Sequence, residues 1–144
     1  MVTNPLDARG LLAVANEANT PWPGQDAHTT IGHVHLRVAH IPAAEKFYVD
    51  ILGLDLMQHY GNQASFVSAG GYHHHLGFNT WAGVGAPPPT ADAARLAWYE
   101  LVLPGPDALR AVVNRLQRSG LSPVEEAGRW HIDDPAQNHL VLTL

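Results

Sequence analysis

At 144 residues the chain fits one domain, or two closely packed half-domains, and that length can bury roughly 70% of its unfolded surface. Cysteine is absent, which excludes disulfides, thiolate metal sites and cysteine nucleophiles. Eight basic against thirteen acidic residues argue against nucleic acid or an anionic membrane as partner, and no apolar stretch approaches the roughly 20 residues that span a bilayer.

The opening MVTNPLDARGLL carries Asp7 and Arg9 where a signal peptide needs an unbroken apolar run, so a cytoplasmic protein is expected. Residues 4 to 18 predict a short helix, with Asn4 as its cap, Pro5 in its first turn, and Leu11, Val14, Ala15 and Ala18 on one face. NTPWPGQDAHTT then breaks it and makes a linker up to residue 30.

IGHVHLRVA (31–39) alternates strictly: His33, His35 and Arg37 share one face, and Val34, Leu36 and Val38 the other. That is a strand with one wet face. IPAAEKFYVDILG follows as a helix with Ala44, Phe47, Tyr48 and Ile51 at helical spacing, stopped by Gly53. LDLMQHY, QASFVSA and YHHHLGFNTW predict three strands separated by GN and GG turns. The last of these holds three of the ten histidines, side by side and far from either terminus, so they are no affinity tag.

GVGAPPPTADA (83–93) is a second breaker-rich linker, best taken as a rigid connector. After it the pattern restarts: RLAWYELVL as a strand, PDALRAVVNRLQRSG as a helix with Leu109, Val112, Val113 and Leu116 inward, then LSPVEEA, RWHID and NHLVLTL as strands. Strand–helix–three strands therefore occurs twice, over 31–82 and 95–144, with almost no identity between copies. The expected fold is α+β: two βαβββ repeats that curl a mixed sheet into a half-barrel cup, helices outside. Its edge strands invite pairing, so a homodimer is expected.

In IGHVHLRVAHIPAAEKFYVDILGLDL, in the DPAQN turn and in FVSAGGYHHHLGFNTWAG, the chain resembles the vicinal oxygen chelate superfamily of glyoxalases, extradiol dioxygenases and bleomycin-resistance proteins. The similarity covers residues 30 to 144 and is closest to the second half of two-domain bacterial proteins related to catechol 2,3-dioxygenase. It implies one divalent metal (iron, manganese, zinc or nickel) on the cup floor. The first ligand of that pattern falls on His33. The two other dioxygenase ligand positions fall on Trp98 and Val141, which cannot bind a metal. The glyoxalase pattern adds a ligand at or near His75, whereas the dioxygenase pattern matches His74 to its acid–base histidine. Strand parity separates His74 from His73 and His75, and a one-residue slip would exchange these roles.

Around them, His35, Arg37, His73, Trp98 and His131 are expected to line a ligand pocket. Glu100, which aligns internally with His35, is a candidate displaced ligand or general base; its plain alternative is an ion pair, with Arg37 for example. His139 is expected at a strand end, and His28, His40 and His59 in solvent. Trp81 and Trp130 are expected to pack in the core, whereas Trp98 would offer a stacking face to an aromatic or cationic ligand. Two functions remain open: a metal-dependent enzyme of glyoxalase or dioxygenase type, and a metal-free sequestering protein of bleomycin-resistance type. A silent half of a two-domain dioxygenase-like protein is a third.

Overall fold

The backbone follows the period-two pattern of the first repeat. In the computed structural model, which describes residues 5–18 and 21–144, strand β1 runs Val34–Arg37. Leu36 and Val38 are buried while His35 and Arg37 are exposed, so one face of β1 packs and the other stays open. His33 sits just ahead of the strand, whose first amide, that of Val34, donates to the His75 carbonyl at 3.0 Å.

Helix α2 (Ile41–Glu45) begins with Pro42 in its first turn, where a missing N–H costs nothing. It widens into a π-helical stretch, Lys46–Ile51. Together they bury Ile41, Ala44, Phe47 and Tyr48, close to the face that spacing predicts. Gly53 ends the run at φ +86°, a conformation that glycine adopts without strain. Strands β2 (Asp55–Tyr60), β3 (Ala64–Ser68) and β4 (Leu76–Asn79) complete the first sheet, in the order β1-β4-β3-β2, with β4 parallel to β1.

The second repeat copies this plan with β5 (Tyr99–Val102), α3 (Pro106–Arg118), β6 (Val124–Glu126), β7 (Arg129–Asp133) and β8 (His139–Thr143), in the order β5-β8-β7-β6. Registers match as well: Val34 pairs with Leu76 and Tyr99 with Leu140. Trp98 therefore stands where the first repeat has His33, and Glu100 where it has His35.

A single apolar core joins the repeats. Leu36, Phe47, Tyr48 and Phe78 come from the first, and Tyr99, Leu116, Leu140 and Leu142 from the second. The four residues predicted to face inward from α3 are all buried. Arg115 of α3 donates through Nε to the Ile51 carbonyl at 2.8 Å and through Nη2 to that of Leu52, which ties the two helical segments together. At the centre the Tyr48 hydroxyl lies 2.8 Å from both the Tyr99 hydroxyl and Asp134 Oδ2. Asp134 Oδ1 also accepts the amides of Ala136 and Asn138, each at 2.8 Å, which pins the DPAQN turn.

The described residues up to Thr30 form a separate compact unit. Its helix α1 spans Ala8–Ala18 and buries none of its residues, so the predicted inward face of Leu11, Val14, Ala15 and Ala18 does not form. Asp7 Oδ1 accepts the Gly10 amide at 2.9 Å and serves as the cap. Asn4, the predicted cap, lies outside the described residues. Among those residues no helix is long and apolar enough to cross a membrane. Trp81 is 62% exposed, because the chain turns out of β4 before reaching it, whereas Trp130 packs against the core as expected.

Candidate metal centre

The predicted strand YHHHLGFNTW is regular only from Leu76 onward, and residues 72 to 75 bend instead. Strand parity therefore does not govern the histidine run. The bend sends His74 inward, where it is 7% exposed, against the open face of the first sheet. Its ring centroid lies 4.6 Å from that of His33 and 5.6 Å from that of His35. One donor nitrogen from each of the three imidazoles falls within 4.8 Å of the others.

Each member has a distinct structural reason to be there. His33 is held by the hydrogen bond that opens β1. His35 projects from the exposed face of β1 across Gly77, its partner on β4: a Cβ at residue 77 would meet His35 Cε1 at 2.8 Å. Phe66 closes the far side, with ring distances of 5.0 Å to His74 and 5.9 Å to His35. Both ring nitrogens of His74 are buried without a hydrogen-bond partner. Buried imidazole nitrogens ordinarily find one.

Burial lowers the basicity of His74, and its neighbours His33, His73, His35 and His75 add to the effect. His35 is lowered too, chiefly by burial and then by His33. Both are thus neutral near pH 7, the form in which imidazole donates a lone pair to a metal.

The structure brings together a different set of histidines from the one expected. His75 is tied elsewhere: its Nδ1 lies 3.0 Å from Ser68 Oγ and accepts the Ala69 amide at 3.3 Å. His74, the expected acid–base residue, takes the place beside His33 that was expected of His75. His73 stays exposed at the rim, 4.7 Å from His74 and 6.3 Å from His33, with Tyr72 packed on it at 4.1 Å. Glu100 is outside the cluster and accepts from Arg129 Nη1 at 3.1 Å, so its ion pair is with Arg129 and not Arg37. Arg37 instead donates to the Pro87 carbonyl. Trp98 is half exposed and Val141 buried. All three clustered donors come from the first repeat.

A second histidine arrangement lies on the other sheet. His139 Nδ1 is 2.6 Å from Asp133 Oδ1, and its Nε2 is 3.1 Å from His131 Nδ1. A carboxylate only accepts, so neutral His139 donates through Nδ1 and accepts at Nε2. His131 must then donate through Nδ1, which leaves its buried, unpartnered Nε2 as a lone pair. The sequence put both His131 and His139 at the edge of the cup or at strand ends, and only His131 in the ligand pocket. The Asp133 link was in principle visible, since DPAQN is a tight turn that places residues 133 and 139 opposite each other.

Between β1, the proline linker and the DPAQN turn lies a cavity of about 330 Å³, with His35 and Arg37 among its lining residues. That is near the lower bound for small-molecule sites. His59, expected in solvent, is exposed but holds Glu45 at 2.7 Å.

The chain is 44% identical over 137 residues to the catechol-2,3-dioxygenase of Bacillus subtilis (strain 168), a match covering 94% of this chain and 47% of that protein. The chain thus spans about half the length of the curated relative it matches. Among solved structures, a glyoxylase/bleomycin resistance protein/dioxygenase domain from Frankia sp. EAN1pec superposes with TM-score 0.63 at 19% identity, over 82% of this chain and 98% of that one. Lactoylglutathione lyase from Agrobacterium tumefaciens gives 0.61 at 16%, over 81% and 94%. The family model for the Glyoxalase/Bleomycin resistance protein/Dioxygenase superfamily matches residues 30–138, and the chain belongs to that superfamily.

Proposed function

We propose that this chain is a metal-dependent unit of the glyoxalase/dioxygenase type, in which His33, His35 and His74 hold one divalent ion beside the cavity. The observation that carries this reading is His74. A buried imidazole with two unpartnered nitrogens, aimed at two further imidazoles, is costly unless something accepts its lone pair. A metal-free sequestering role leaves that cost unexplained.

The donor set fits a borderline cation such as zinc, iron, manganese or nickel, since imidazole suits all of them and three ligands leave positions open. When bound, such an ion supplies a Lewis acid that polarises substrate oxygens. The chain's own residues do the rest. Gly77 leaves room for the His35 ring, Phe66 excludes water from one side, and His73 at the rim is placed to move a proton.

Catechol ring cleavage is the activity to test first, because a relative 44% identical to this chain is a catechol-2,3-dioxygenase. The set here is three imidazoles from the first repeat, in contrast to the dioxygenase pattern that the resemblance implies, whose two other positions fall on Trp98 and Val141. Protein loaded anaerobically with ferrous iron is expected to consume oxygen with catechol, and its His74→Leu variant is not. Iron-replete protein that leaves catechol untouched would overturn the dioxygenase assignment.

A further inference from the structure

The lining of the 330 Å³ cavity has a one-sided charge. Arg37 comes from β1, Arg95 from the segment leading into β5 and Gln137 from the DPAQN turn. The remaining surface beyond His35 and Asn138 is alanine, proline, leucine and valine, and no carboxylate lines it. In a chain with thirteen acidic and eight basic residues, two guanidiniums and no acid around one small hollow is a directed arrangement.

Both cations have capacity to spare. Arg37 spends an N–H on the Pro87 carbonyl, which holds the guanidinium against the proline run and leaves other donors of its fork. Arg95 makes no hydrogen bond or ion pair among the described residues. An acid does line the adjoining hollow that Arg95 shares, namely Asp133, but that carboxylate is engaged by His139 at 2.6 Å.

We propose that Arg37 and Arg95 form an anion subsite, so that the ligand of this cavity is a small carboxylic acid rather than a cation. Spacing refines the class. His35 and Arg37 are two residues apart on one strand face, so their side chains emerge roughly 7 Å apart. That separation is about the width of one ring or a short chain. The ligand carries a carboxylate for the guanidinium fork and, at its other end, a hydroxyl or keto oxygen directed toward His35. Trp98, the stacking face expected for an aromatic or cationic ligand, is not among the lining residues. The proposal rests on taking this cavity as the substrate site, but not on the metal.

The test uses the full chain with chelator present and compares 4-hydroxybenzoate with its neutral isostere 4-hydroxybenzamide by isothermal titration. The acid is expected to bind about tenfold tighter or better, with the preference shrinking as salt screens the pair. Arg95→Gln, an exposed and unpartnered position, is expected to erase most of that preference without changing the thermal midpoint. Arg37→Gln serves as the second variant. Equal binding of acid and amide, no binding of either, or a preference unchanged in both variants would overturn the anion subsite. Since no metal takes part, these outcomes are independent of whether the three histidines bind one.

Discussion

The imidazole of His35 lies across Gly77, so near that a Cβ on residue 77 would sit 2.8 Å from Cε1 and 2.9 Å from Nδ1. Glycine inside a strand weakens it and commonly marks a close approach. Here the approaching group is a candidate ligand from the parallel neighbour β1. Gly77→Ala is therefore expected to push the His35 ring aside. Because that ring is exposed and can swing, folding stability should change by less than about 1 kcal/mol. Metal affinity, read by competition with a chromophoric chelator, should fall about 10- to 100-fold. Unchanged affinity would remove His35 from the site.

The buried His74 predicts an acid-sensitive fold. Its folded-state basicity lies below the ordinary value of 6.5, as does that of His35. Below that pH the unfolded chain binds protons that the folded one refuses, so stability rises with pH across this window and is lost as pH falls. Metal-free protein should melt at lower urea concentration at pH 5.5 than at pH 7.5. His74→Leu should flatten that difference and be at least as stable at pH 7.5, having shed two unpartnered nitrogens. A variant that loses more than about 1 kcal/mol at pH 7.5 would show that His74 is satisfied in the metal-free protein.

Asp134 is 4% exposed and joins the repeats through Tyr48, two turn amides and the Asn138 side chain. Asp134→Ala strands all of these donors and should cost about 3 kcal/mol or more in denaturant unfolding, and Tyr48→Phe about 1–2 kcal/mol. Burial raises the Tyr48 hydroxyl well above its ordinary 10.0, and Tyr99 and Asp134 push it further. The folded protein thus keeps a proton that the unfolded chain releases above that pH, so stability declines in alkali. Tyr48→Phe should lessen that decline. A Tyr48→Phe profile parallel to the wild type would contradict it.

On the opposite sheet the chain from Asp133 through His139 to His131 fixes two tautomers. Nitrogen-15 imidazole spectra should show His131 protonated at Nδ1 at neutral pH. Asp133→Asn should restore a mixture of tautomers in His139. A mixture already present in the wild type would mean that the carboxylate does not set it.

Alternation and helical spacing were enough to locate both repeats, because half-buried strands and amphipathic helices carry their packing in their periods. Leu36 and Val38, and the four inward residues of α3, fall where those periods put them. The histidine run was not legible in this way. Parity holds only on a strand, and residues 72 to 75 leave the strand to bend, so His74 points where regular geometry would have sent its neighbours. Nor did spacing reveal the partners of Glu100 and Arg37: those depend on which long side chain reaches which surface, a tertiary matter. Gly77 was the missed signal, a glycine among LGFN that nothing in the strand itself required.

Metal content of protein purified without an immobilised-metal column bears most directly on the site. Close to one equivalent of a divalent metal is expected in the wild type, kept in His75→Ala and lost in His33→Ala, His35→Ala and His74→Ala. Wild-type protein that takes up none when offered iron, manganese, zinc or nickel, or metal lost in His75→Ala but kept in His74→Ala, would contradict it.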